Sequence, residues 1–219
     1  LTDIDTTARQ VAGLYAQLGR DRLIVGSSGN VSARTAEGMV ITRSGASPSA
    51  AEAPAMARVT LAGAALNDVT ASSEWAMHAA IYRQHPAARV IVHTHADACT
   101  ALACLGLPLP AFHYMVLQFG GPDVRCAPYV TFGTAALAEA AAAAIADRSA
   151  CLLANHGMIV FGRDADHALA QAHLLESLCR QYLLALAAGT PRLLSEADMD
   201  AARERFKSYG PRPRQPAAG

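Results

Sequence analysis

Apolar residues recur along this chain with two spacings, and the switches between them mark out its elements. Ile4, Ala8, Val11, Leu14, Tyr15 and Leu18 share one helical face, which predicts a helix over 4–19 ending near Gly19. The stretch "LIVGSSGNVSAR" (23–34) reads as a short strand, a Gly/Ser turn and a second short strand, and "GMVIT" (38–42) as another strand. Residues 48–67 are ambiguous: "SAAEAPAMA" suggests a short helix and "VTLAG" an extended piece. "SSEWAMHAAIYRQHP" predicts a helix opening at Ser72 or Ser73 and stopping before Pro86. A strand over 88–94 and a helix through Cys104 follow.

Beyond the loop "GLPLPAFHYM" and the segment "CAPYVTFGT" comes an alanine-rich helix. "ACLLANHGMIVFG" (150–162) has the pattern of two strands meeting at a turn around "NHG". Helices over 164–188 and 195–206 complete the pattern, and the Pro-rich tail 211–219 is expected to be disordered. Strands and helices interleave, so the pattern predicts an α/β fold in one domain over 1–210. The tight turn at "NHG" demands an antiparallel pair, which argues against a purely parallel sheet.

Composition narrows the classes. No run of about 18 apolar residues suggests a membrane span, although 52% of the 219 residues are hydrophobic. Eighteen basic and eighteen acidic residues balance, and the basic ones are scattered, without the patch that nucleic-acid binding needs. The N-terminus lacks a secretory pattern, and its start at Leu1 rather than Met suggests processing or trimming. Five cysteines, an odd number with no CxxC pair, read as reduced thiols of a cytoplasmic protein.

Candidate chemistry starts where the apolar run of "VIVHTHADA" stops. Histidines at i and i+2 of a strand point the same way, so His93 and His95 could supply two ligands of a metal. His156, in the bend of the other hairpin, is a third candidate, and Glu74 an available carboxylate. Spacing alone leaves open whether these are polar residues at strand ends or one site. "HTHAD" also resembles the start of a binuclear hydrolase motif, but Ala98 stands where a second-metal histidine is needed. The loops "GSSGN", "RSGAS" and "ASSEW" offer small residues and hydroxyls, and together would suit a phosphorylated ligand.

In combination, "GNVSAR", "SGAS", "SSEW", "VIVHTHA", "HYM", "CAPY", "TFGT", "NHG" and "FKSYG" resemble the class II, zinc-dependent sugar-phosphate aldolases. That superfamily includes ribulose-5-phosphate 4-epimerase, and the resemblance is strongest to aldolases of the L-fuculose 1-phosphate type. It implies a three-layer α/β/α domain around a mainly antiparallel sheet. It further implies a fourfold homotetramer with active sites between subunits. The carried-over metal ligands are His93, His95 and His156, holding one zinc per chain, with manganese or cobalt as alternatives. Glu74 falls on the catalytic acid/base, which can also join the metal.

By the same resemblance, Gly29 and Asn30, Ser44 and Gly45, and Ser72 and Ser73 lie on phosphate-binding loops. Tyr114 matches a tyrosine entering a neighbouring subunit's site, and Tyr209 a tyrosine closing over the site. Three departures stand out: Ser44 replaces a threonine, "VLQFGG" (116–121), with Leu117, Gln118 and Phe119, replaces a smaller alanine-rich segment on the aldehyde side, and "ANHG" differs from the family just before the third histidine. The expected activity is reversible cleavage of a ketose 1-phosphate to dihydroxyacetone phosphate and an aldehyde through a zinc-stabilised enediolate. Rivals are an aldolase for 5-deoxyribulose 1-phosphate or 5-(methylthio)ribulose 1-phosphate, and a 4-epimerase.

Overall fold

The computed structural model describes residues 4–208. Its sheet is built from β1 (Gly29–Arg34), β2 (Met39–Thr42), β3 (Met56–Val59), β4 (Val90–Thr94), β5 (Cys126–Ala127), β6 (Ala150–Leu153) and β7 (Gly157–Gly162). These lie in the order β3-β2-β1-β4-β7-β6-β5, so β4 occupies the middle with β1 and β7 as its neighbours. Every pairing is antiparallel except β5 with β6.

Period-two alternation makes two cores out of this one sheet. Val31, Val90, Val92, Leu152 and Val160 point to one face, where α1 (Ile4–Arg20), α3 (Asp97–Cys104) and α5 (Ala165–Ala188) cover them. Ile41, Ile91, Cys151 and Ile159 point to the other, under α2 (Trp75–Gln84) and α4 (Ala135–Ala144). The result is the three-layer α/β/α arrangement around a mainly antiparallel sheet. A last helix, α6 (Glu196–Phe206), packs on a 3-10 segment at Tyr114–Phe119. Its start carries a capping box between Ser195 and Asp198.

Four local expectations change. No strand forms at 23–25: the Leu23 and Ile24 amides bond back to the Leu18 carbonyl, so this segment finishes the turn closing α1. The helix expected at "SAAEAPAMA" is two 3-10 turns, Pro48–Ala50 and Ala53–Ala55; Pro48 opens the first, and Pro54, which cannot donate, stands where a continuous helix would need an amide. The extended piece starts earlier than "VTLAG", because Met56 and Ala57 already pair with β2. Helix α2 opens at Trp75 rather than at Ser72 or Ser73, with Glu74 in the N-cap position and the Trp75 amide on the Ser72 carbonyl. Tyr209 and the Pro-rich tail lie outside the described residues.

Candidate metal and phosphate site

Alternation along β4 puts Ile91 and His93 on the face covered by α2, and cross-strand pairing sets His93 between Asn30 of β1 and Ile159 of β7. His95 follows just past the strand end. The β6–β7 hairpin turns through Ala154, Asn155 and His156, with Asn155 at φ 54° in the left-handed region that asparagine tolerates. The hairpin can approach β4 because residue 157 is glycine: a Cβ there would run into the Thr94 carbonyl oxygen and the His95 ring. His156 therefore arrives beside the pair on β4. One ligand nitrogen from each of the three histidines lies within 4.8 Å of the others, and His93 Nε2 is 3.2 Å from His95 Nε2.

Protonation follows from the partners. His93 Nδ1 lies 2.8 Å from the Met158 carbonyl oxygen, which can only accept, so Nδ1 carries the hydrogen and Nε2 is the free nitrogen. That nitrogen faces Glu74 Oε2 at 3.2 Å, and Glu74 Oε1 lies 3.3 Å from His156 Nε2. Glu74 Oε1 is buried yet has no hydrogen bond among the described residues. Lone pairs converging without donors call for a cation, and three imidazoles with one adjacent carboxylate fit a divalent ion with an open position.

The electrostatics agree. Burial, with the neighbouring histidines adding to it, pushes His95 and His156 down to about 4, so both rings are neutral and able to ligate at pH 7. For Glu74, burial alone would raise the carboxyl. The positive charge that His93 and His156 carry once protonated, with the Asn30 amide, outweighs it and holds the group well below the ordinary carboxylate range.

Beside this cluster opens a cavity of about 420 Å³. The three small-residue loops all reach it: Gly29 and Asn30, Ser44 and Gly45, and Ser72 and Ser73 line its wall together with Glu74, His95 and His156. Asn30 is engaged: its Nδ2 donates to Glu74 Oε2 at 2.9 Å and its Oδ1 lies 2.5 Å from His78 Nε2. Tyr114 is not on this wall. It is half exposed and lines a separate groove with Met115, Gln118 and Phe206. The Leu117–Phe119 stretch likewise belongs to the 3-10 segment, with Phe119 fully buried in the core beside α5.

The structure adds residues that sequence reasoning passed over. Arg43 brings a guanidinium to the cavity, and Tyr129 and Phe132, both largely exposed, line it from the segment after β5. Glu176 of α5 reaches across to the start of α3 and accepts from the Ala98 and Cys99 amides at 2.9 Å. It thereby anchors the chain three residues past His95. Polar residues at 30 and 32 of a strand, and at 74, 78 and 82 near or on a helix, are the sequence signal of a buried polar contact between β1 and α2.

Comparison with known proteins agrees with this geometry. The class II aldolase and adducin N-terminal domain matches residues 9–183. A 5-methylthioribulose-1-phosphate/5-deoxyribulose-1-phosphate aldolase from Rhodospirillum rubrum is 42% identical over 185 residues, 84% of each chain. An L-fuculose phosphate aldolase from Escherichia coli O6:H1 is 39% identical over 204 residues, 93% of this chain and 95% of that one. Among solved structures, an L-fuculose 1-phosphate aldolase superposes with a TM-score of 0.87 at 33% identity, covering 92% of this chain and 96% of its own. A single strand order, one trio of histidines and these matches place the chain in the class II aldolase family. It is an aldolase, an enzyme that makes and breaks a carbon–carbon bond.

Proposed function

We propose that residues 1–210 form one catalytic domain that reversibly cleaves a ketose 1-phosphate to dihydroxyacetone phosphate and an aldehyde. The observation that carries this reading is the adjacency of two features: a carboxylate with one unpartnered oxygen, and three backbone loops converging on the same cavity. The start of β1 at 29–30 and the loops at 44–45 and 72–73 offer amides and hydroxyls to a phosphate. Remote binding energy spent there fixes the reacting carbons beside Glu74. His93, His95 and His156 would hold one divalent ion, zinc by the character of the donor set, with Glu74 able to join them. When bound, such an ion supplies Lewis-acid stabilisation of the negative charge that develops on the substrate's oxygens.

Glu74 Oε2 is held by Asn30, so Oε1 is the oxygen that takes a proton from, or returns it to, the carbon next to the carbonyl. Tyr114 of a neighbouring subunit, in a homotetramer, is the candidate for the proton on the hydroxyl at the aldehyde end. Its exposure leaves it available for that contact. Tyr209 is assigned to closing over the site. No described helix is long and apolar enough to cross a membrane, and we read the enzyme as cytoplasmic.

The primary substrate reading is the L-fuculose 1-phosphate type. A second, 5-deoxyribulose 1-phosphate or 5-(methylthio)ribulose 1-phosphate, is favoured by the Rhodospirillum rubrum relative and by the apolar Tyr129, Val130 and Phe132 in the cavity wall. A panel of these ketose 1-phosphates, with ribulose 5-phosphate as the epimerase control, decides between them through relative kcat/KM with and without chelator. In the same assay, Glu74→Gln should retain one metal per chain and lower proton exchange on dihydroxyacetone phosphate by about 100-fold or more. Near-normal exchange in that variant would remove Glu74 from the acid/base role.

A further inference from the structure

Behind Glu74 lies a file of side chains that a hydrophobic core has no reason to contain. Asn30 and Ser32 stand two apart on the α2 face of β1, and His78 and Tyr82 stand four apart on the facing side of α2. All but Asn30, at 3% exposure, are 0–1% exposed. Each lies within hydrogen-bonding distance of the next: Ser32 Oγ is 2.9 Å from Tyr82 Oη and 2.7 Å from His78 Nδ1. His78 Nε2 is 2.5 Å from Asn30 Oδ1, and Asn30 Nδ2 is 2.9 Å from Glu74 Oε2.

The direction of every bond is fixed by its last acceptor. An ionised carboxylate has no hydrogen to give, so the Asn30 atom beside Glu74 must be its NH2. Its other end is then the carbonyl, which needs a donor, so His78 carries its hydrogen on Nε2. Burial, the largest influence on this ring, lowers His78 to about 3 and keeps it neutral, which makes Nδ1 an acceptor. Ser32 must therefore donate to Nδ1, leaving its oxygen to accept from the Tyr82 hydroxyl. All the dipoles run the same way and end on one oxygen of Glu74, and bonds aligned like this strengthen one another in a dry interior.

We propose that His78, oriented by Ser32, is a positioning residue: it fixes the Asn30 amide so that Nδ2 holds Glu74 Oε2 and Oε1 is left without a donor beside His156. The inference rests on the reading of Glu74 as the acid/base. Without His78, Asn30 can rotate by half a turn and present its carbonyl to the carboxylate. Glu74 would then swing, and a displacement of about 1 Å at a reacting group can lower turnover by about 100-fold.

The test uses the metal-loaded enzyme. In ¹⁵N-histidine NMR, His78 should show the Nε2–H tautomer, and an Nδ1–H tautomer would overturn the proposal. His78→Leu should lower kcat by about 10- to 100-fold, with KM within about threefold and one metal per chain retained. His78→Gln, which offers an amide N–H at similar reach, should recover most of that loss even if its melting temperature falls as far. Equal losses of kcat in the Leu and Gln variants, or unchanged kcat in the Leu variant, would overturn the positioning role. If His78→Leu does not fold, Ser32→Ala serves: kcat should fall about three- to tenfold, and unchanged kcat would count against the proposal. Glu74→Gln, run alongside, tests the underlying reading separately, because the His78 tautomer is read without turnover.

Discussion

A single missing Cβ decides whether the third histidine can meet the other two. Gly157 sits under the Thr94 carbonyl oxygen and against the His95 ring, so Gly157→Ala must push the hairpin away from β4. Metal affinity should fall by about 10- to 100-fold, the range seen when a ligand's supporting contacts are disturbed, and a competition titration with a fluorescent chelator would measure it. Unchanged affinity would show that the hairpin shifts without carrying His156. At this scale the sequence was informative where a pattern is short. His93 and His95 are two apart, and Glu74 sits beside the serine pair. The role of the side chains that orient them was not legible: Asn30 reads as part of a phosphate loop, and it stands 48 residues from His78 with nothing local to couple them. Arg43, Tyr129 and Phe132 are individually ordinary residues of loops, and only the folded chain puts them on one wall.

Elements were read correctly where one amphipathic period ran long enough, as in α1 and α5, and less well where geometry overrode local pattern. Leu23 and Ile24 are β-prone, yet their amides serve the end of a helix. Pro54 breaks what alanine content would otherwise make helical. Helix α3 shows how an element is placed by a remote charge: its first amides are satisfied by Glu176 from the middle of α5. Glu176→Ala strips acceptors from buried amides and should destabilise the fold by about 2 kcal/mol. Urea unfolding would read this as a lower midpoint at unchanged slope, and the same midpoint as wild type would mean that water replaces the carboxylate without loss. Because α3 begins right after His95, the variant should also hold its metal more weakly.

The whole molecule carries several histidines in a neutral state that the unfolded chain does not share. His95 and His156 sit near 4 and His78 near 3, against about 6.5 when unfolded. Above pH 6.5 neither state binds these protons, and stability is indifferent to pH on their account. Below it the unfolded chain takes them up while the folded one refuses, so metal-free protein should lose stability as pH falls from about 6.5 towards 4. Depression of the Glu74 carboxyl acts in the same direction at lower pH. Melting temperatures of chelator-treated protein at pH 7, 6 and 5 should descend in order, and the reverse order would contradict neutral burial. Zinc added at pH 7 should raise the melting temperature, because ligands organised only in the folded state tie metal binding to folding.

The middle position of β4 has a dynamic counterpart. A strand flanked on both sides and covered on both faces exchanges its amide hydrogens only when the whole sheet opens. Amides at 91–93 should thus exchange at the rate of global unfolding, whereas the loops at 26–28 and 43–47 and the segment 128–133 should exchange through local fluctuations. Substrate and product can then enter and leave by breathing of the rim while the three histidines stay in register. Release of product and release of metal become events on separate clocks.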